Sequence, residues 1–328
     1  MNHDDLNLKL SPLADPVVNA IFANAEVSGL AAESFIRAVF ESDDNKLNGK
    51  VISVIPQNSF SDPHNRGCRV DVYVETDKNE KIIFEINIYP DKTIIQRDFL
   101  AVSHIFKSSS VKGDTAIQMA AKMPRTVFIN VLTDNIRDDN PDIVQPVKVM
   151  FTKEPVRLAM PQFSIYNIQL PQVEKTEPDF NNGLYCWCYT LYKAHKENKS
   201  IQEVLNMTPD LLFYGEHEPG YAQFCERYDL VASDPATQHE YFLWYMNRLR
   251  EEGRRITAIE MGMEQGMKQG MKQGMEQGME QGQLVRLLTL IQRKRLKFKT
   301  REQIINDLDL EEEEIKVLDD FESYKHLL

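Results

Sequence analysis

Two acidic side chains, Asp71 and Glu85, carry the chemistry that this sequence could do. In CRVDVYVETDKNEKIIFEINIYP, which begins at Cys68, Val70, Val72 and Val74 alternate with Arg69, Asp71, Tyr73 and Glu75. A period of two is the pattern of a strand. TDKNE reads as a turn. IIFEINI then alternates again, with Ile83, Glu85 and Asn87 on one face and Phe84, Ile86 and Ile88 on the other. The two runs predict a β-hairpin. With the turn centred on Lys78, Asp71 stands across from Glu85, Tyr73 from Ile83 and Arg69 from Asn87, all on one face. Like charges directly opposite on paired strands repel. Either Arg69 or a divalent cation between them would remove that cost. Hard ions such as Mg²⁺ prefer carboxylate and carbonyl oxygen and take one or two carboxylates, with water or phosphate completing the shell. Such an ion would polarise a phosphodiester and acidify water. The same alternation also marks the solvated face of an ordinary antiparallel hairpin, which is its commoner origin when pattern is all there is.

The flanking elements must position this hairpin. Residues 12–42 read as two helical pieces, with Leu13, Val17, Ile21 and Phe22 at helical spacing, then Leu30, Phe35, Ala38 and Val39. VISVIPQ is a short β-branched run that ends at Pro56, and residues 57–67 read as a loop. After the hairpin, Asp91 is placed to cap a helix whose apolar stripe is Ile95, Phe99, Val102 and Phe106. Lys112-Gly113-Asp114 ends that helix. RTVFINVL (125–132) reads as a buried strand, and VKVMFT and FSIYNIQL are two further apolar runs. The order predicts an α/β fold, a mixed β-sheet core flanked by helices. The expected organisation is a core over 1–175, a helical lobe over 176–258, a repeat over 259–282 and a helical tail over 283–328.

The composition sets limits. The 328 residues carry a formal net charge of -12, which argues against a basic carpet for nucleic acid but leaves room for a local acidic site that holds metal and for a local basic patch. No apolar run reaches the roughly 18 residues of a membrane span. MNHDDLNLKL has neither the basic nor the apolar part of a secretory signal, so a cytoplasmic location is expected. The four cysteines lack zinc-site spacing and are expected to be reduced and mostly buried.

The ordered series of motifs resembles the PD-(D/E)XK nuclease superfamily, and more narrowly its bacterial recombination-promoting nuclease/transposase family. LADPVVNAIF is similar to that family's opening D-x-x-F-K-x-x-F helix. RVDVYVETDKNEKIIFEIN is similar to its R-x-D-V…E-x-Q hairpin. QRDFLAVSHIF, KGDTAIQMAAKMPRTVFINVL and FSIYNIQLPQ stand where the family has its next helix and two strands. The resemblance implies a restriction-endonuclease-like core and a Mg²⁺-dependent DNA endonuclease, with Mn²⁺ a possible substitute. It implies that Asp71, Glu85 and the Ile86 carbonyl hold metal. Arg69 matches the family Arg, as either a salt partner of Asp71 or a phosphate contact. Gln96 and Arg97, early in the following helix, are DNA-binding or auxiliary candidates. Asp15 would join the site or cap its helix, and Glu33 would supply an acidic group from the second helix or be merely solvated.

This chain departs from the pattern at Asn87, which stands where the superfamily has lysine and the narrower family Gln. Lysine would orient the attacking water and offset negative charge. Asn87 can do the first but carries no charge. The alternative is therefore a weakened or inactive DNA-binding or assembly protein on the same fold. GMEQGMKQGMKQGMEQGMEQG (262–282) places Gly and Met every fourth residue. As a helix its stripes drift about 40° per repeat, since four exceeds 3.6 residues per turn. The repeat is either a flexible linker or a helix that homo-oligomerises the chain.

Overall fold

The computed structural model describes residues 9–328, apart from 24, 63–64, 89–92, 110, 137–140 and 298, and without the side chains of 25–27, 60–62, 65–68 and 155–156. Asp91, expected as a helix cap, and the Cys68 side chain lie outside the described residues. The chain divides into two compact units, Met1–Asn247 and Arg248–Leu328.

The first unit opens with α1 (Asp15–Phe22) and α2 (Ala25–Glu41). Four strands follow, β1 (Val51–Pro56), β2 (Ser59–Asp62), β3 (Asn65–Arg69) and β4 (Val72–Thr76), then β5 (Glu80–Asn87). Next come α3 (Ile94–Ser108), α4 (Ala116–Lys122) and β6 (Arg125–Leu132). β7 (Val144–Lys148), β8 (Met150–Phe151), β9 (Glu154–Leu158) and β10 (Phe163–Gln169) complete the strands. α5 (Gly183–Lys196), α6 (Ile201–Met207), α7 (Pro209–His217), α8 (Pro219–Ser233) and the start of α9 (Pro235–Arg295) end the unit. The architecture is mixed α/β, as the sequence predicts. Six strands form one sheet in the order β1-β4-β5-β6-β10-β7. β5, β6 and β10 are parallel, and the other pairs are antiparallel.

Alternation along the strands gives the sheet two apolar faces. Val72, Val74, Ile82 and Phe84 enter the larger core with α1, α2, α5, α6 and α8. Tyr73 and Ile83 point the other way, where Ala101, Val102 and Ile105 of α3 cover them together with Phe128 and Ile165. The hairpin register is Val72↔Phe84, Tyr73↔Ile83, Val74↔Ile82 and Glu75↔Lys81. Tyr73 faces Ile83 as expected from a turn centred on Lys78.

Two expectations need correction. Residues 57–67 are not simply a loop, because Ser59 pairs with Arg69 and Phe60 with Cys68, which prolongs the β1–β4 ladder into a two-stranded ribbon. The ladder breaks at Gln57, which adopts the left-handed conformation (φ 52) opposite Asp71 and donates its N–H to the Asp71 carbonyl at 2.7 Å. Such a break turns the strand and re-aims side chains. Val70 accordingly packs with Tyr73 rather than with Val72 and Val74, and Arg69 pairs with Ser59 rather than facing Asn87. The second correction concerns α3. Its buried face is Ile94, Asp98, Ala101, Val102 and Ile105, rotated from the expected stripe, and Phe99 is exposed.

Cys186, Cys188 and Cys225 are buried free thiols in the larger core. Among the described residues no helix is long and apolar enough to cross a membrane. In the second unit, α9 carries the whole Gly-Met repeat as helix, with Met263, Met267, Met271, Met275 and Met279 exposed. The end of α9 then packs with α10 (Arg301–Leu308), α11 (Glu312–Asp319) and α12 (Phe321–Tyr324) around Leu288, Ile291, Ile304, Leu318 and Phe321. Arg301 grips Asp319 with two hydrogen bonds of 2.6 and 2.7 Å.

In the first unit, α8 crosses α2 closely at Gly220, where an added Cβ would overlap the Leu30 carbonyl oxygen and the Ser34 side chain. Backbone cannot swing aside as a side chain can. Gly220→Ala should therefore cost about 1–3 kcal/mol, seen as a lower denaturation midpoint with unchanged slope. An unchanged midpoint would show that the helices part freely.

Candidate functional site

The antiparallel register sets Asp71 across from Glu85, one residue beyond the last bonded pair, Val72↔Phe84. Both side chains are half-buried. The backbone ties the two strands here in both directions. Ile86 donates its N–H to Asp71 Oδ2 at 2.8 Å, and the Asp71 amide hydrogen-bonds the Glu85 carboxylate. The N–H and C=O of one strand residue leave from the same edge. The Ile86 carbonyl therefore also leaves toward Asp71, while the Asn87 carbonyl, on the opposite edge, accepts from the Thr133 amide at 3.2 Å.

Electrostatics separates this pair from its neighbours. Burial lifts both carboxyls above the ordinary carboxylate range. Glu85 rises furthest, because the Asp71 and Asp98 charges add to its desolvation. For Asp71 the Ile86 amide offsets part of the burial and the Asp15 charge adds to it. Two other glutamates near this hairpin behave differently. Glu75 is opposite Lys81, and although burial raises its carboxyl, the Lys81 ammonium and the Tyr73 hydroxyl hold it below its usual value. Glu80, 2% exposed, accepts from the Asn48 and Gly49 amides at 3.1 and 3.0 Å, from Asn48 Nδ2 at 3.0 Å and from the Thr76 hydroxyl at 3.2 Å, and pairs with Arg125. Glu75 and Glu80 are satisfied by protein. Asp71 and Glu85 face each other.

The row continues across the sheet. Glu85 is in register with Asn130, Asn130 with Asn167, and Asn167 with Gln145. Asn130 and Asn167 are buried, and Asn130 Nδ2 donates to Asn167 Oδ1 at 2.9 Å and to Asp98 Oδ2 at 2.7 Å. Burial pushes the Asp98 carboxyl up to about 7, with the Asn130 amide opposing. Asp98 and Asn130 were not singled out from the sequence. A signal existed for Asn130, since an amide inside RTVFINVL needs a buried partner. Asp98 gave none, because apolar Phe99 beside it suggested a different face of the helix.

The other candidates are placed as follows. Asn87 lies at the end of β5 on the Glu85 face, and its Oδ1 accepts from Arg97 Nη2 at 2.9 Å. Gln96 is exposed on the first turn of α3. Arg69 is exposed and its charge is felt at Asp71. Asp15 does not cap α1. The cap position is Ala14, with no side-chain hydrogen bond, and Asp15 lies in the first turn, where helix amides favour an acid. Glu33 is not brought to the pair. It accepts from Arg37 at 2.7 Å and lines a separate polar cleft with Arg37, Glu41 and Lys46.

The donor chemistry fits a hard divalent cation: two carboxylate side chains, a carbonyl edge and mutual repulsion that a cation relieves. Among the described residues no three His, Cys, Asp or Glu side chains group to hold a metal. A cation here would therefore rely on the two carboxylates, backbone oxygen and water, a set that suits Mg²⁺ rather than zinc.

This hairpin, on a mixed sheet with helices on both faces, is the arrangement of a PD-(D/E)XK nuclease core. A family model described as PD-(D/E)XK nuclease family transposase matches residues 12–242. The chain belongs to that family. Nucleases of this superfamily generally use divalent metals. No curated protein and no solved structure matches the chain.

The raised carboxyls have a thermodynamic consequence. A carboxyl with a higher pKa folded than unfolded binds more protons when folded, so stability falls as pH rises between the two values. Unfolded carboxyls titrate near about 4. Burial, with the Asp71 and Asp98 charges adding to it, holds the Glu85 carboxyl well above the ordinary carboxylate range. In EDTA, the melting temperature should fall as pH rises across this window. Asp98→Asn should flatten the fall, and a divalent cation should raise the melting temperature most at the alkaline end. A metal-free melting temperature that climbs from about pH 5 to about pH 9 would refute the assignment.

Proposed function

We propose that the chain is a divalent-cation-dependent DNA endonuclease that hydrolyses phosphodiester bonds with Mg²⁺ as its ion. The observation that carries the reading is the opposition of Asp71 and Glu85, two half-buried carboxylates for which, among the described residues, no ion pair like that of Lys81 with Glu75 is seen. Asp71, Glu85 and the Ile86 carbonyl would hold the ion. When bound, the ion would supply the positive charge that polarises a phosphodiester and makes water acidic enough to yield a nucleophile. The protein's own part is placement. The β4–β5 register fixes the two carboxylates, and the Ile86 amide fixes the rotamer of Asp71. Arg69 and Gln96 stand exposed, suited to contacting the DNA backbone.

A second reading keeps the fold and DNA binding but has weak turnover, because neutral Asn87 stands where lysine would be. The exposed Met stripe of the α9 repeat would then serve self-assembly. Residue 87 favours it, and one assay separates the two.

The wild-type protein should nick plasmid DNA with Mg²⁺ or Mn²⁺ and stop when EDTA is added. Asp71→Ala and Glu85→Ala should each lose at least about 100-fold in rate while remaining at least as stable as wild type in EDTA near neutral pH, since burial raises both carboxyls and so makes each a cost to the fold there. Cutting by Asp71→Ala at the wild-type rate would disprove the site. DNA binding without any cutting would favour the second reading.

A further inference from the structure

The Asn87 departure and the Arg97 side chain are one feature rather than two. Asn87 ends β5 on the face that carries Glu85, and its Oδ1 accepts from Arg97 Nη2 at 2.9 Å. Arg97 belongs to the first turn of α3, where the next residue, Asp98, is buried against Asn130. The helix is thereby anchored one residue away from the guanidinium. Arg97 itself is exposed. Among the described residues no ion pair consumes its charge, although the Asp71, Glu85 and Asp98 carboxyls all feel it. A guanidinium has five N–H donors in a rigid fork that matches phosphate oxygens, and the amide oxygen of Asn87 occupies only part of that fork.

A lysine at position 87 would repel this guanidinium, whereas an asparagine holds it. The charge that a lysine would bring on the strand is thus brought by an arginine on the helix, tethered to the same strand position. We infer that Arg97 is the phosphate-contacting cation of this site and that Asn87 is its positioning residue. The inference rests on the nuclease reading for its catalytic part and on the guanidinium geometry alone for its binding part. The ligand is the phosphodiester backbone of DNA. Arg97 would meet the non-bridging oxygens and offset the negative charge that grows on them during hydrolysis. No proton leaves Arg97, because a guanidinium does not deprotonate in proteins.

The test compares wild type, Arg97→Ala, Arg97→Lys, Asn87→Ala and the double variant Arg97→Ala with Asn87→Lys. Two readouts are used: plasmid cleavage with Mg²⁺, and affinity for a DNA duplex in EDTA across a salt series. Arg97→Ala should cut about 100-fold more slowly than wild type. Its log affinity should depend less steeply on log salt, by about one unit of slope. It should still fold and unfold cooperatively, because the side chain is exposed. Arg97→Lys should keep the wild-type salt slope. Asn87→Ala unties the guanidinium but keeps its charge, so kcat should fall while the salt slope stays. The double variant restores a cation from the strand and should cut at least about 10-fold faster than Arg97→Ala.

Wild-type cutting by Arg97→Ala with an unchanged salt slope overturns the inference and leaves the nuclease reading standing. A double variant no faster than Arg97→Ala also overturns it. Should wild type fail to cut at all, the nuclease reading falls instead. The salt series in EDTA then decides alone, an unchanged slope in Arg97→Ala refuting the phosphate contact.

Discussion

The repulsion between Asp71 and Glu85 is the constraint on which the site depends. Two carboxylates across one rung of an antiparallel pair disfavour that pairing, and burial makes them harder to ionise. The fold holds them there because the rest of β4 and β5 contributes apolar rungs to both faces of the sheet. Val72, Val74, Ile82 and Phe84 enter one core, and Tyr73 and Ile83 the other. A slip by one residue would reverse every one of those side chains. The apolar register therefore fixes the acidic one.

Glu80 and Glu85 make the comparison within one strand. Both are on β5. Glu80 is surrounded by amide, hydroxyl and guanidinium donors from three segments, and it joins the start of β5 to the residues after α2, to Thr76 of β4 and to Arg125 of β6. Glu85 has one backbone donor and three nearby acids or amides. A buried carboxylate with a full set of donors is structural. One that faces another carboxylate at the open end of the same strand lacks that set, and burial raises its carboxyl instead.

The polar layer beneath the pair gives the site its shape. Asn130 and Asn167 sit in register on adjacent parallel strands, and their hydrogen bond runs across the sheet. The same Asn130 amide reaches up to Asp98 and so fixes the rotation of α3. That rotation decides which residues of the helix look at the carboxylates and which look at solvent. Arg97 and Asn87 meet as a result of it. The order is physical: strand register first, then the amide row, then the helix face, then the guanidinium.

Much of this was legible in residue patterns. β6 spans Arg125–Leu132, the run read as a buried strand, and the hairpin register follows from a two-residue period and a turn at Lys78. Period and turn chemistry are local, so a sequence states them directly. The ribbon of β2 and β3 was hidden because turn-forming residues also occupy hairpin edges, and pairing with a distant segment does not alter local pattern. The face of α3 departs from its apolar spacing for a related reason. Apolar spacing favoured Ile95 and Phe99, yet Asp98 is the buried residue, because Asn130, thirty-two positions away, supplies its hydrogen bond. The sequence by itself determined the strands of the hairpin, the register of its inner rungs and the opposition of two acids, each set by neighbours along the chain. Only the tertiary structure decided which helical residues close over them, since burial of a polar group depends on a partner that folding brings from elsewhere.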